Sequence, residues 1–357
     1  MMRRRAAAAL VLVLVVLGGL DGCKDARPAS RPPPLTPAPV VPSTPSPPPA
    51  RAPSASGRIT WFPEPTEIAA RVGFLADPAL RGRGSGTADE AAAADKVAAW
   101  FRAAGLEPAG AGGGYLVPFT AIGVHSQNVI GLIRGSDPTA GHVVIGAHVD
   151  HLGVRDGVIY PGADDDASGI AGLCAIAEAL SHAGQRPRHT VVIVAFGAEE
   201  DGLLGSQAYV AAPVLPLDRA VLMINLDMIG RARFLASEVY ALAHTVVAYD
   251  AIGALASPGA DDVVARARAA ARTVGRPLVA TSDFGPIERL VRPAMETRAD
   301  QASFATVGVR YLWLSTSMHD DYHQPTNTAD KVDPTTIAAV GRIVVELVLG
   351  LADPPSP

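Results

Sequence analysis

Cysteine is scarce in this chain of 357 residues, which contains only Cys23 and Cys174. Two cysteines this far apart in sequence do not supply the clustered thiolates of a zinc finger, so a cysteine-based zinc finger is excluded. Cys174 lies in a stretch whose apolar residues recur at helical spacing, and we predict that it is a core residue. If Cys23 is modified, Cys174 has no partner for an internal disulfide.

The folded part of the chain also lacks an excess of positive charge. Residues 1–57 hold seven of the thirty Lys and Arg residues but only two of the thirty-five Asp and Glu residues, so residues 58–357 have a net charge near −10. Proteins that bind nucleic acid usually present a basic face to the phosphates. The charge therefore argues against a nucleic-acid partner.

Several catalytic and nucleotide-binding motifs are missing as well. The chain has no Gly-x-Ser-x-Gly elbow and no His-Glu-x-x-His helix, which disfavours serine hydrolases and thermolysin-type proteases. The glycine-rich stretch Gly82–Gly86 resembles a phosphate-binding loop, but it does not follow a predicted strand. We therefore expect no nucleotide partner.

The N-terminal segment has the pattern of an export signal. Three arginines at positions 3–5 precede an apolar run over residues 6–20, which is too short to span a bilayer comfortably. We predict that residues 1–22 are a signal peptide.

The end of this run resembles the lipobox of bacterial lipoproteins. Leu20 stands three residues before Cys23 and the small residue Gly22 directly before it, although Asp21 departs from the usual small residue. The resemblance implies a lipid on Cys23 and an exported protein anchored to the membrane of the bacterial cell envelope. The alternative is an ordinary cleaved signal with an incidental cysteine. Lys24 stands after the anchor in place of Asp, which favours the outer membrane facing the periplasm in a cell with two membranes.

A proline-rich segment separates this end from the rest of the chain. Residues 24–57 consist largely of Pro, Ala and Ser and hold twelve of the thirty-one prolines. This composition has too few large apolar residues to offset the entropy of ordering, and proline favours extended chain. We predict that residues 23–57 are the lipidated cysteine and a disordered linker, that 58–352 form one folded domain, and that 353–357 are a tail.

The domain alternates apolar strands with amphipathic helices. The predicted strands are Asn128–Ile133, Val143–Ala147, Thr190–Phe196, Ala220–Leu226, Glu238–Ala243 and Val309–Leu314. The predicted helices are Thr66–Leu75, Ala88–Ala104, Ser168–His182, Asp261–Thr273 and Pro334–Gly350. Continuous Val and Ile runs separated by helices indicate an α/β fold, with a largely parallel central sheet sandwiched by helices.

Side chains that can bind metal follow four of the predicted strands. His148 directly follows one strand and Asp227 directly follows another. Glu199 and Glu200 come shortly after a third strand, and His323 follows the last strand after a short loop. In open α/β sheets ligands bind outside the carboxyl ends of the strands, so we expect these side chains to meet at one edge of the sheet.

A run of three aspartates, Asp164–Asp166, adds a fifth donor just before a predicted helix. A single Asp at this place would cap the helix, but three adjacent carboxylates exceed what capping needs and repel one another unless a cation lies among them. Imidazole and carboxylate without thiolate suit zinc, and manganese or cobalt are chemical alternatives. Two histidines and three carboxylates are one donor too many for a single tetrahedral zinc, and they suit two ions that share a carboxylate and a water.

Five segments, in this order and spacing, resemble the signature blocks of the two-zinc aminopeptidase family. The blocks are GAHVDHLG, PGADDDASG, VAFGAEEDGLLGS, INLDMIG and DYHQPTNT, and the resemblance covers about residues 63–350, including LRGRGSGT near its start. The family also contains glutamate carboxypeptidases, glutaminyl cyclases and the non-catalytic transferrin receptor. The resemblance implies a three-layer α/β/α sandwich with a mixed, mostly parallel central sheet, and it makes residues 58–352 a zinc-dependent peptidase domain.

The resemblance also implies the metal ligands. Asp165, the middle aspartate of its block, would bridge two zinc ions. His148 and Asp227 would complete the ligands of one ion, and Glu200 and His323 those of the other.

Two further roles follow from the resemblance. Glu199 would be the general base, which takes a proton from the attacking water and passes it to the leaving amine. Asp150 would accept a hydrogen bond from the second nitrogen of His148 and so orient it. His151 and His319 lie beside assigned ligands, and we expect each to be a loop residue or to support a ligand rather than bind metal.

One region departs from the family pattern. The family often has Ser-Asp-His before the last strand, where this chain has Ala299-Asp300-Gln301. Members with Gln at that place exist, so the departure bears on the substrate pocket rather than on the metals. A second match, Ser282-Asp283-Phe284, lies too far from the last strand.

The function that the resemblance implies is an aminopeptidase that removes N-terminal residues from peptides outside the cytoplasm. A carboxypeptidase of the same family is an alternative, and it would need basic residues to hold the substrate carboxylate; the candidates are Arg231, Arg233, Arg298 and Arg310. A glutaminyl cyclase is less consistent with a full set of five ligands. A non-catalytic binding lipoprotein on a peptidase scaffold would be marked by lost ligands, whereas here each ligand and the base are present.

Overall fold

A mixed sheet of nine strands forms the middle layer of the structure, a computed structural model that describes residues 59–231, 250–316 and 318–351. Its strands are β1 (Glu107–Pro108), β2 (Leu116–Ala121), β3 (Val124–Ile133), β4 (His142–His148), β7 (Thr190–Phe196), β8 (Ala220–Leu226), β9 (Ile252–Ala256), β10 (Leu278–Ala280) and β11 (Tyr311–Ser315). A separate hairpin pairs β5 (Val154–Arg155) with β6 (Val158–Ile159).

The centre of the sheet is parallel. Strands β7, β4, β8 and β11 lie side by side in that order and run in one direction. Antiparallel strands flank them, β3 beside β7 and β9 beside β11, while β10 runs parallel to β9 and both β1 and β2 pair with β3. The carboxyl ends of the four central strands therefore meet at one edge.

Helices cover both faces of the sheet. They are α1 (Pro65–Leu75), α2 (Ala88–Ala103), α3 (Gly169–Ser181), α4 (Leu204–Ala211), α5 (Asp261–Val274), α6 (Glu288–Glu296), α7 (Gln301–Thr306) and α8 (Pro334–Gly350). On one face α8 packs against α1, α3 and α5. On the other face α4 packs against α7, which contacts β8 and β11.

Alternation along the central strands produces two apolar cores, one on each face. In β4, Val143 and Ile145 belong to the core under α3 and α8, whereas Val144 belongs to the core with Tyr209 of α4 and Phe304 of α7. Successive side chains of a strand point to opposite faces, and a strand buried on both faces therefore needs an unbroken apolar run. This explains the unbroken apolar runs over Val143–Ala147 in β4 and Val191–Phe196 in β7.

The helix ends follow local signals in the sequence. The Thr87 side chain accepts a hydrogen bond from the Glu90 amide at the start of α2. Helix α8 starts at Pro334, and the Asp333 carboxylate accepts from the Thr335 amide. Caps of this kind satisfy amides that have no partner within the helix.

The predicted fold class, an α/β/α sandwich with a mixed, mostly parallel sheet, is confirmed. The five predicted helices are present with ends within two residues of the predicted ones. The elements that were not predicted are β1, β2, β5, β6, β9, β10, α4, α6 and α7. The predicted strand Glu238–Ala243 and the predicted signal peptide, Cys23, linker and tail lie outside the described residues. Within those residues no helix has the length and apolarity needed to cross a membrane.

Candidate metal centre

The predicted metal ligands converge at the carboxyl edge of the sheet. His148 is the last residue of β4, and Asp227 directly follows β8. Glu200 follows β7 after a short turn, and His323 lies in the loop after β11. Asp165 comes from the segment that leads into α3, in front of the same edge.

One group of donors forms around His148. His148, Asp165 and Asp227 are all buried, and their donor atoms lie within 4.8 Å of one another. The His148 Nε2 atom is 3.1 Å from Asp165 Oδ1. These three residues are the ligands that the resemblance implies for one ion.

A second group shares Asp165 through its other oxygen. The His323 Nε2 atom lies 3.2 Å from Asp165 Oδ2 and 3.4 Å from Glu200 Oε2. His151 joins this group, because its Nδ1 atom lies 2.8 Å from Glu200 Oε1 and 3.7 Å from Asp165 Oδ2. His151 was expected to be a loop residue or to support a ligand, and the structure places it in a group with the geometry to hold a metal ion.

The donor set fits zinc. His151 Nδ1 and Glu200 Oε1 are both buried, and neither has a hydrogen-bond partner among the described residues, although they are close to each other. Buried polar atoms are rarely left without a partner, and a bound cation would satisfy both. Imidazole nitrogens and carboxylate oxygens together are ligands that zinc accepts.

Buried acidic side chains crowd this edge of the sheet, and burial makes them resist ionisation when no cation is present. Burial, with the neighbouring carboxylates of Asp165 and Asp300, raises the pKa of Asp227 to about 8 against the opposite effect of His148. Burial also raises the pKa of Glu199 well above its usual range. Burial disfavours a charged imidazole, yet the surrounding carboxylates, that of Glu199 foremost, raise the pKa of His148 well above its usual range. Such a site favours cations, because buried carboxylates need a positive partner.

The three consecutive aspartates have different partners. Asp166 accepts hydrogen bonds from the amides of His148 and Met228, at 3.2 and 3.1 Å, and so joins two strand ends. Asp164 lies 2.9 Å from His319 Nε2. Only Asp165 faces both donor groups. His319 thus supports the loop beside Asp164.

Asp150 organises the turn that carries the two glutamates. Its carboxylate accepts from the amides of Glu199 and Glu200, at 3.0 and 3.1 Å, and from the Ser85 hydroxyl at 2.9 Å. The predicted hydrogen bond from His148 needs a correction. The His148 Nδ1 atom lies 3.2 Å from the Asp150 carbonyl oxygen but 3.7 Å from its carboxylate, because the carboxylate is taken up by the turn amides.

Glu199 belongs to neither donor group, although its carboxylate acts on the His148 imidazole. Its side chain is buried, and it is a member of neither group of possible ligands found in the described residues. The preceding residue, Ala198, has a left-handed backbone with φ of 52°. This turn brings Glu199 and Glu200 to the same edge of the sheet, but only Glu200 belongs to a donor group.

Arg83 holds together the backbone segments that surround the centre, and this role was not predicted from the sequence. Its guanidinium is fully buried and donates to four backbone carbonyl oxygens, those of Leu75, Val149, Pro161 and Gly162, at 2.6 to 3.0 Å. Burial lowers its pKa to about 10, so it stays charged at neutral pH. The only signal was the LRGRGSGT segment, whose glycines suggest a loop but not what its arginine contacts.

Glu90 supports the turn before Glu199 and was also missed. Its carboxylate accepts from the Ser126 hydroxyl at 2.7 Å and from the amides of Gly86 and Ala198, at 2.6 and 3.0 Å. Burial, followed by repulsion from Asp150, raises its pKa to about 7. In sequence it resembles an ordinary residue of the first turn of a helix.

The region that departs from the family pattern also lies near the centre. Gln301 Oε1 accepts a hydrogen bond from the Asn225 side chain at 3.0 Å, and both residues are buried. Asp300 is buried beside them, and burial raises its pKa to about 7. Asp283 of the rejected second match pairs with Arg268 instead.

Comparisons with known proteins find a matching family and several relatives. A family model described as peptidase family M28 matches residues 128–348. A "Probable zinc metalloprotease" of Pyrenophora tritici-repentis is 32% identical over 114 residues, 31% of this chain and 26% of that protein. A glutamate carboxypeptidase 2 homolog of Caenorhabditis elegans is 36% identical over 140 residues, 36% of this chain and 17% of that protein. The match to these curated relatives thus spans about a quarter of their length or less.

A solved structure shares the fold over most of the domain. It is a zinc aminopeptidase from Bacillus subtilis, with a TM-score of 0.59 and 18% sequence identity. The match covers 82% of this chain and 96% of that one.

Proposed function

The chain belongs to peptidase family M28, and on that premise we propose that it is a two-zinc exopeptidase that removes N-terminal residues from peptides. The observation that carries the proposal is the pair of donor groups that share Asp165 at the carboxyl edge of the sheet. One shared carboxylate between two sets of donors is the arrangement that two-metal hydrolases use.

The residues that would hold the ions are His148 and Asp227 on one side of Asp165, and Glu200 and His323 on the other. When bound, two zinc ions acidify a water molecule and polarise a carbonyl. Manganese or cobalt would fit the same donors.

Glu199 is the proposed general base. It would take a proton from the attacking water and return it to the leaving amine, which balances the hydrolysis of one peptide bond. Its position supports this role, because Glu199 is next to Glu200 yet outside both donor groups. Asp150 would keep the base in place, since its carboxylate holds the amides of both glutamates.

An aminopeptidase is favoured over a carboxypeptidase by the charges around the centre. Arg231 pairs with Asp321 at 2.6 Å, and Arg310 precedes β11, away from the carboxyl edge of the sheet, and pairs with Asp262. Arg298, which lies just after α6, donates to the Ala294 carbonyl oxygen of that helix. Arg233 lies outside the described residues. The acidic surroundings, by contrast, suit the amino group of a peptide N-terminus.

Export and anchoring are part of the same proposal. A lipid on Cys23 would hold the enzyme at the cell envelope, and the proline-rich segment would separate the domain from the membrane. The substrates would then be peptides outside the cytoplasm.

A panel of chromogenic substrates tests the activity. We expect hydrolysis of amino-acid amides with a free α-amino group and none of their N-acetylated forms. An N-blocked peptide with a free C-terminal carboxylate belongs in the same panel, because its preferential cleavage would favour a carboxypeptidase. Glu199→Gln protein purified in parallel controls for contaminating peptidases. Equal cleavage of free and acetylated amides would refute the aminopeptidase.

A further inference from the structure

His151 is fixed in position by the chain around it. Its amide donates to the Arg83 carbonyl oxygen at 3.2 Å. Its ring lies against Gly162, where a Cβ atom would come within 2.4 Å of the imidazole Cγ. The His151 and His323 rings meet edge to face, with centroids 5.8 Å apart. The side chain is 1% exposed, so its position is set by the protein rather than by solvent.

The His151 imidazole is aimed at the second donor group. Its Nδ1 atom lies 2.8 Å from Glu200 Oε1 and 3.7 Å from Asp165 Oδ2. Neither of its ring nitrogens has a hydrogen-bond partner in the described residues, and neither has Glu200 Oε1. Two polar atoms this close that form no hydrogen bond are placed like two donors to one ion. With zinc–donor bonds of about 2.0 Å, two donors at tetrahedral angles are separated by about 3.3 Å. The distances from His151 Nδ1 to Glu200 Oε1 and to Asp165 Oδ2 lie on either side of this value.

We propose that His151 Nδ1 is a metal ligand, and that it binds the ion held by Asp165, Glu200 and His323. The inference rests on the proposed two-zinc centre. It gives that ion four protein donors and leaves the other ion three, those of His148, Asp165 and Asp227.

The unequal number of donors has a chemical consequence. Four protein ligands fill a tetrahedral zinc site, so a water shared by the two ions would be a fifth ligand there, whereas the ion near His148 would keep a position open for water or substrate. The ion near His148 would therefore exchange its non-protein ligand more readily, and the ion near His151 would be bound more tightly. Loss of His151 should weaken one zinc and leave the other nearly unchanged.

X-ray absorption spectroscopy of the zinc-loaded full chain tests the ligand count directly. Scattering from imidazole rings should correspond to three histidines for two zinc ions in the wild type and to two in His151→Ala. His142→Ala is the matched control, because His142 is an equally buried histidine at the first position of β4, the end of that strand away from the donor groups. That variant should retain the wild-type count. Chelator competition should show that His151→Ala loses one of its two zinc ions at least about tenfold more readily.

Zinc content measured on the same samples separates the possible failures. Two zinc ions with only two imidazoles in the wild type would overturn the inference and make His151 a residue that orients Glu200, while the two-zinc centre would stand. A single zinc in the wild type would overturn the proposed centre itself. If His151→Ala does not fold, the wild-type imidazole count alone decides.

Discussion

Identical side chains at this centre differ through their partners alone. Asp164, Asp165 and Asp166 are adjacent in sequence but have different partners. The Asp166 carboxylate accepts hydrogen bonds from backbone amides, and the Asp164 carboxylate contacts a histidine and accepts from one amide. The Asp165 carboxylate faces both donor groups. Glu199 and Glu200 also have the same side chain but different neighbours, since Glu200 belongs to a donor group and Glu199 does not. The chemistry of each residue therefore follows from which neighbours satisfy its oxygens.

Substitution of each glutamate by glutamine should separate their roles. Glu199→Gln should retain its metal and its stability but lose a factor of about 10²–10⁴ in turnover, the usual contribution of a positioned proton carrier. Glu200→Gln should lose affinity for one zinc, because a neutral amide is a poorer ligand, and excess zinc should partly restore it. Metal content and turnover of both variants are the readouts. Loss of metal in Glu199→Gln but not in Glu200→Gln would reverse the two roles.

Glu90 should make the metal-free protein less stable as the pH rises. Its pKa is raised from an ordinary 4.5 to about 7 in the folded state, so the folded protein holds the proton more tightly than the unfolded chain. The stability from this proton is complete below pH 4.5 and is lost as the pH rises through 7, by up to about 3 kcal/mol.

Urea unfolding of chelator-treated wild type and Glu90→Gln across this range isolates the effect. The difference in unfolding free energy between the two proteins should change with pH between about 4.5 and 7 and be constant below that range. Parallel curves would show that Glu90 does not titrate there.

At the scale of secondary structure, long periodic segments were predictable and short ones were not. The apolar runs of β4 and β7 and the amphipathic α2 are specified by local pattern. Strand β10 has three residues and α7 has six, so neither carries enough repeats to be recognised. The loops that deliver the donors were predicted as loops, but their conformations depend on contacts distant in sequence.

Gly162 shows how a loop conformation becomes part of the site. Its φ of +59° is in the left-handed region, which residues with a side chain rarely adopt. A Cβ atom at this position would also lie 2.4 Å from the His151 ring and 2.3 Å from the Asp165 carbonyl oxygen, so there is no room for a side chain. Gly157 has a similar φ of +77° with nothing within 4 Å of its Cβ position, which makes it a matched control.

Gly162→Ala should therefore destabilise the protein well beyond Gly157→Ala. The control should lose about 1 kcal/mol from its left-handed backbone, while Gly162→Ala should lose at least about 3 kcal/mol and bind zinc less tightly. Denaturant unfolding and zinc content provide the comparison. Equal losses would mean that contact with His151 does not constrain the loop.

At the scale of the whole molecule, the sequence predicted where the site lies in the fold. It did not predict the contacts that hold the site together. The family, the sheet and the edge where His148, Glu200 and Asp227 meet follow from strand ends and motif order. Arg83 could not be predicted in its role, because its four carbonyl partners come from three separate segments. His151 was set aside because a histidine next to a ligand motif gives no sign of where its ring points.

The envelope anchor is a prediction about the chain as a whole. Cys23→Ser should release the protein from the membrane fraction and leave turnover unchanged, because the proline-rich segment separates the anchor from the domain. Fractionation after a salt wash, with activity measured in both fractions, is the test. A variant that remains in the membrane fraction would refute the lipid anchor.

The central claim is that the acidic edge of the sheet holds two metal ions that hydrolysis requires. The most direct measurement is zinc content by elemental analysis, made alongside turnover as zinc is returned stepwise to chelator-treated protein. We predict about two zinc ions per chain at full activity, because the donors form two groups around Asp165 and a single tetrahedral zinc cannot use them all. Full activity with a reproducible content of one zinc per chain would contradict the account.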